Sequence, residues 1–329
     1  MLSLKHRIEF SGLSRHRLTC LLGVSSLAMG LVLAPANAQQ IRVGSGQESV
    51  IDNGEARAHT TGVAGQLDAA AVWVTNGTLA ITNSDVDFLS EGRAAEALRV
   101  ESYSSSAPSV VRIVGAPGKT ARLVATGVAG NVVNLSGDRS SLHLENVEII
   151  GTGAGRRGIL TMGESQLSLI GSSIVADDIG ISMQGKYGST AASTLVENSS
   201  ITSYNGAGIS AMSGQLIANN FDIRAGFNPV TNATTTSRGA YGINANSNSN
   251  VILSDGRIET FGDYGNGIFA ANDSSDTSQV RLQLDNVDII THGINATGIE
   301  NIHVRSVING GSIHTYGLGG HGVGSSNGG

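Results

Sequence analysis

Apolar side chains along this chain recur at every second position, in short runs bounded by Asn, Asp, Ser and Gly. Leu142-His143-Leu144 and Leu167-Ser168-Leu169 are typical, and Val251-Ile252-Leu253 is a fully apolar version. A period of two predicts strands, and the polar clusters between them predict turns. The runs also repeat. Leu142 to Ile150 and Leu282 to Ile290 keep the same apolar positions around the pairs Glu145-Asn146 and Asp285-Asn286, and each is followed by Gly-Ile. That dipeptide forms a series: Gly158-Ile159, Gly180-Ile181, Gly208-Ile209, Gly242-Ile243, Gly267-Ile268, Gly298-Ile299 and the variant Gly322-Val323, at intervals of 22 to 34 residues. After each marker come a short strand, an alternating strand and a third signal such as Ile201-Thr202-Ser203, Ile258-Glu259-Thr260 or Ile313-His314-Thr315.

A strand of three to five residues buries too little to offset the entropy of ordering it. If each unit is one turn of a coil, its strands pair in parallel with those of neighbouring turns and the inward Ile, Leu and Val side chains become columns. The expected fold is therefore all-β, a parallel β-helix. Variation in unit length falls in turns, with residues 226–238 as a Thr- and Asn-rich insertion. Amphipathic helices conflict with the spacing. A β-sandwich also has short strands and Gly-rich turns, but does not account for the marker series. Before residue 131 the repeat is looser: Ala71-Val72-Trp73-Val74, Leu79-Ala80-Ile81, Leu98-Arg99-Val100 and Val110 to Val114 fit turns. Residues 39–70 read as an N-terminal cap and 71–329 as the coil.

The first 38 residues have a different pattern. A basic head (Lys5, Arg7, Arg15, Arg17), an apolar run from Leu18 to Leu33 and Ala36-Asn37-Ala38 ahead of Gln39 describe a secretory signal peptide cut between Ala38 and Gln39. The lone cysteine, Cys20, lies within it, so the exported chain is expected to fold without a disulfide. Composition narrows the choices further. Glycine is 45 of 329 residues and charged residues are 14%, which leaves a neutral chain with an aliphatic core. The formal net charge of −6 gives no basic footprint for nucleic acid.

Candidate chemistry is sparse. Asp85 and Asp87 flank Val86 and share one strand face, a geometry that a glycosidase or a polysaccharide lyase uses. Asp177-Asp178 and the pairs Glu145/Glu148 and Asp285/Asp288 are further carboxylate candidates, although Glu145 and Asp285 precede Asn at matched repeat positions, which favours a turn role. Histidines 59, 143, 292, 303, 314 and 321 lack zinc-ligand spacing. Asp273 and Asp276 lie in a polar turn that suits a hard cation, but also suits none. Residues 151–155 imitate a dinucleotide loop without a following helix, and Arg156-Arg157 is too small for a polyanion site. No catalytic, cofactor or metal residue is assigned. Aligning the third strands puts Tyr204, Phe261, His292 and Tyr316 at one position, the sign of an aromatic ladder that is structural in preference to sugar-binding.

The signal peptide, the cysteine-free Gly/Asn-rich repeat and units such as Gly208-Ile209-Ser210-Ala211-Met212-Ser213-Gly214-Gln215-Leu216 resemble the pertactin-like passenger domains of bacterial autotransporters over most of residues 71–323. The resemblance implies a right-handed parallel β-helix, export through the outer membrane, and display at the cell surface or release as an adhesin or virulence factor. Its partners would be glycans or proteins of host or bacterial surfaces. The family's C-terminal outer-membrane β-barrel is missing, so the chain reads as truncated before it and as periplasmic if the barrel is truly absent. Arg238-Gly239-Ala240 lacks the acid of an Arg-Gly-Asp motif. The alternative from another class is a secreted polysaccharide-active β-helix enzyme, a lyase or esterase.

Overall fold

The computed structural model describes residues 40–62, 69–103, 107–186, 189, 191–236, 238–272 and 281–326. The signal peptide, its cleavage point at Ala38 and Gln39, and the Asp273/Asp276 turn lie outside these residues. Within them every regular element is a strand, and the strands wind into a parallel β-solenoid with three ladders per turn.

The Gly-Ile series sets the first ladder. Ile159, Ile181, Ile209, Ile243, Ile268, Ile299 and Val323 are register partners in that order. Going the other way, the column continues through Val133, Leu98, Val72 and Ile41. The alternating runs form the second ladder, in which Leu142, Leu167, Thr194, Leu216, Val251 and Leu282 align. The third contains Ile149, Ile174, Ile201, Ile223, Ile258, Ile289 and Ile313. The looser units before residue 131 join the same three columns, since their apolar positions keep the period even where the marker is absent.

The marker glycine and the Ile-x-Thr signal turn out to be two halves of one contact. A Cβ added to Gly180, Gly208, Gly242, Gly267 or Gly298 would lie 2.2–2.4 Å from Cγ2 of Ile201, Ile223, Ile258, Ile289 or Ile313, the third-ladder isoleucine of the same turn. It would also press on the glycine carbonyl of the next turn, at 2.5–2.8 Å. None of these glycines has a positive φ. The requirement is space for the isoleucine, and burying each such side chain stabilises the coil by about 1.5–3 kcal/mol.

Strand lengths differ from expectation. Ile209–Ala225 and Ile243–Thr260 run unbroken through all three ladders. Their corners are tight: the first is an irregularity with two left-handed residues, Ser213-Gly214 or Ser247-Asn248, and the second a single left-handed residue, Asn220 or Asp255. A corner this tight does not interrupt ladder pairing, so separate short strands fuse. The 226–238 insertion folds as a small antiparallel hairpin, Phe227–Asn228 with Ala233–Thr234. The segment read as a cap is built as a turn of the coil: Ile41–Val43, Glu48–Asp52 and Glu55–Thr60 pair in parallel with Ala70–Thr75, Thr78–Thr82 and Asp85–Ser90. Alternate residues there, Val43, Ala56 and Ala58, are buried and extend the columns.

One charged side chain is sealed in the interior. Arg156, fully buried, donates to the carbonyls of Ala95 at 2.7 Å, Gly127 at 2.8 Å and Gly92 at 3.2 Å, and so ties three successive turns together. Burial pushes its guanidinium pKa down, and the carboxylate of Glu96 opposes that shift.

The glycine contact predicts opposite results at two matched markers. Gly242→Ala should lower stability by about 1–3 kcal/mol through overpacking against Ile258. At Gly322 nothing lies within 4 Å of an added Cβ, so Gly322→Ala should stay within about 0.5 kcal/mol of the parent. Urea unfolding of both variants checks this, and equal losses would refute the contact.

Candidate functional site

A shallow groove follows the corner between the second and third ladders. That corner is turned by Asn53, Asn83, Asn146, Gly171, Asn198, Asn220, Asp255, Asn286 and Gly310, all with φ between +48° and +67°, and by the longer segment 115–120 in the unit between Asn83 and Asn146. Asn, Asp and Gly are the residues that accept this left-handed conformation at least cost. The acid–Asn pairs of the repeat sit here, in the turn role their matched spacing suggested. Side chains extend the pattern from turn to turn: Asn220 Nδ2 donates to Asn198 Oδ1 at 2.7 Å, and Asn286 Nδ2 to Asp255 Oδ1 at 2.8 Å. Just inside, the Ser172 hydroxyl donates to the Ile170 carbonyl at 2.8 Å and accepts the Val147 N–H at 3.0 Å. Ser199 does the same one turn on, toward Glu197 and Ser172.

Two hollows lie end to end along this corner, of about 570 and 320 Å³, and both are lined by Asn220 and Phe221. Their floor belongs to the outward side of the third ladder, where Glu148, Ser173, Ser200, Asp222, Arg257 and Asp288 are successive register partners. The two serines create the larger hollow, because longer side chains stand on either side of them. Asp222 Oδ1 is sealed from solvent and has no hydrogen-bond partner. Arg257 points its charge elsewhere, to Glu259 at 3.1 Å. Phe221 offers no open ring face: it is 4% exposed, and a Cβ on Gly256 would meet its ring at 2.2 Å. The corner can therefore donate and accept hydrogen bonds along its length. It has a negative bias and no stacking platform.

Of the carboxylates singled out in the sequence, Glu148 and Asp288 lie on the floor of this groove; most of the others lie apart from it and are engaged. Asp85 accepts the Thr120 N–H at 2.9 Å and faces Lys119 Nζ at 3.3 Å. The Thr120 bond, with help from Lys119, holds its carboxyl below the usual carboxylate range. Asp87 receives both arms of Arg122, at 2.9 and 3.1 Å. Asp177 accepts the Gly155 N–H at 2.7 Å, Asp178 pairs with Arg157 at 3.1 Å, and Glu145 pairs with Arg112 and His143. Arg157 thus serves Asp178, while its neighbour Arg156 is internal. Among the described residues no group of three or more His, Cys, Asp or Glu is placed to hold a metal.

The aromatic positions assemble in part. Phe261 and His292 stack with centroids 4.8 Å apart, and His292 and Tyr316 at 5.4 Å. Gly226 takes the intervening rung between Tyr204 and Phe261, because Ser203, Ala225 and Thr260 align just before these positions. Phe227, from the insertion hairpin, fills that place and packs on Phe261 at 5.5 Å. Arg224 lies over the Phe227 ring at 4.4 Å. Beneath the stack, Glu259, 7% exposed, accepts Arg224 at 3.2 Å and is 3.1 Å from His292 Nε2. Phe261 and His292 are covered on both faces and offer no sugar platform, whereas Tyr316 at the end of the stack is exposed.

A second stack had no counterpart in the sequence reading. On the first ladder Trp73 is sandwiched between Arg42 and Arg99, whose guanidinium carbons lie 4.9 and 5.0 Å from its ring centroid. Ile41-Arg42-Val43, Val72-Trp73-Val74 and Leu98-Arg99-Val100 share one outward position, and this alignment is the signal that finds it. Arg99 also pairs with Glu96, whose carboxyl burial pushes up and Arg99 pulls back.

The ladder makes a measurable distinction. Phe261→Ala removes the ring on which both Phe227 and His292 pack and should cost about 1–3 kcal/mol. Tyr204→Ala, off the stack, should cost under about 1 kcal/mol. Thermal unfolding monitored by circular dichroism separates the two, and a larger loss at Tyr204 would contradict the rung assignment.

Comparison of the chain with known protein families, with curated proteins and with solved structures yields no match.

Proposed function

We propose that this chain is the exported, non-catalytic passenger of an autotransporter-like system, a rigid adhesive stalk presented at the bacterial surface or released from it. The observation that carries this reading is how the outward carboxylates are used. Asp85, Asp87, Asp178 and Glu259 are each met by a Lys or Arg; the partners of Asp85 and Asp87 come from the following turn and that of Asp178 from the preceding one. Acids committed to cross-turn ion pairs stiffen a surface. They are poorly placed as a general acid and base, which need one carboxyl held protonated beside one left ionised. The Asp85 carboxyl is shifted downward, the wrong direction for an acid catalyst.

Other features agree with export followed by folding outside the cell. The predicted mature chain has no cysteine, and its long-range contacts are nearest-neighbour ones between successive turns. A chain of this kind can cross a pore unfolded and then wind up turn by turn, each completed turn acting as the template for the next. Recognition of host-cell or bacterial surface molecules falls to the outer faces, the corner groove and the 226–238 hairpin.

The expected outcome has two parts. Beads coated with the exported chain should adhere to target cells several-fold above uncoated beads. The same protein should leave polygalacturonate and other acidic polysaccharides uncut. Cleavage that disappears in Asp85→Ala and Asp87→Ala would overturn the adhesive reading in favour of the enzyme.

A further inference from the structure

We infer that the corner groove is a binding site for an extended, uncharged, hydroxyl-rich glycan lying along the coil axis. This rests on the adhesive reading above and names its ligand class. The two hollows share Asn220 and Phe221 as lining and lie in file along one corner, an arrangement suited to a linear polymer. Its functional groups come once per turn, a spacing of about 4.8 Å. That is close to the advance of one pyranose unit along an extended β-linked chain.

The chemistry of the walls selects the class. Ser173 and Ser200 on the floor both donate and accept. The Asn198 and Asn220 amides spend one hydrogen bond on each other, which leaves Asn198 Nδ2 and Asn220 Oδ1 for a ligand. Glu148 and Asp222 stand at the two ends of the larger hollow, three rungs or about 14 Å apart, and accept from ligand hydroxyls. The Asp222 Oδ1 is sealed beneath the surface without a partner, so this carboxylate meets a ligand through Oδ2. The negative bias repels uronates, sulfates and phosphates, because Arg257, the cation on the floor, is held by Glu259. Without an exposed ring, each sugar unit binds weakly and affinity must accumulate along the chain.

The test titrates the exported chain with a hexamer of β-1,4-linked N-acetylglucosamine, with hexagalacturonate and with hexalysine, followed by calorimetry. The neutral hexamer should bind, and hexagalacturonate should bind at least about tenfold more weakly. Ser173→Ile/Ser200→Ile fills the floor from outward positions and should weaken the hexamer at least about tenfold. Asp222→Asn should weaken it about threefold. Thr202→Ile, outward on the same ladder but off the groove, should stay within about twofold. Circular dichroism confirms folding, and Asp222→Asn carries the comparison if the double variant does not fold. The inference fails if the hexamer does not bind, if the floor variant binds it as well as the parent, or if hexagalacturonate binds more tightly. Binding of hexalysine alone also overturns it and marks a surface for basic peptides. Bead adherence without hexamer binding sinks the groove and spares the stalk, and hexamer binding without adherence does the reverse.

Discussion

From Gly158 onward the coil depends on one steric fit, the methyl of a third-ladder isoleucine seated where a marker glycine has no side chain. The glycine carbonyl of the following turn closes on the same spot, so the contact joins the first and third ladders and also holds consecutive turns in register. Repeated through Gly158, Gly180, Gly208, Gly242, Gly267 and Gly298, it fixes which strand lies over which. Once the vertical order is set, the inward columns need only be aliphatic and of roughly constant volume, which Ile, Leu and Val satisfy. Thr194 in a leucine column is tolerated as a small β-branched substitute.

Because the core does not distinguish one turn from the next, individuality is left to corners and outer faces. The corner between the second and third ladders stays compact through a left-handed residue, and the same residues, with their amides and carboxylates, give it a polar lining. Geometry and chemistry coincide there: Asn is chosen for its backbone and brings a hydrogen-bonding side chain. The opposite solution is seen at the insertion, where Gly226 interrupts the aromatic stack and Phe227 restores it from a hairpin.

Charge is handled by the same turn-to-turn logic. Arg57, Asp87, Arg122 and Glu148 are consecutive register partners of alternating sign, and the pairing within that column is largely exposed, so it contributes little to stability and more to the specificity of stacking. Arg156 is the exception. Deprived of water, it keeps its charge among backbone carbonyls of the two preceding turns and near Glu96. Its removal would strip these buried carbonyls of a charged donor, leaving Gly92 with the Ala95 N–H, and for that reason a buried cation is tolerated inside an otherwise aliphatic coil.

The chain's own order of residues determined the coil, because strand period, marker dipeptide and matched segments such as 142–150 and 282–290 are local signals that stacking merely repeats. The turn role of Asn146 and Asn286 and the shared rung of Phe261, His292 and Tyr316 were legible for the same reason: equal repeat positions become vertical neighbours. Tertiary structure alone decided the rest. The place of Phe227 depends on how an insertion folds back, which no repeat alignment contains. The inward turn of Arg156 beside the outward Arg157 depends on carbonyls from turns 29 to 64 residues earlier. The groove exists only because two ladders meet at an angle while Ser173 and Ser200 happen to be short between longer neighbours, and concavity of that kind belongs to packing in three dimensions, not to any single stretch of chain.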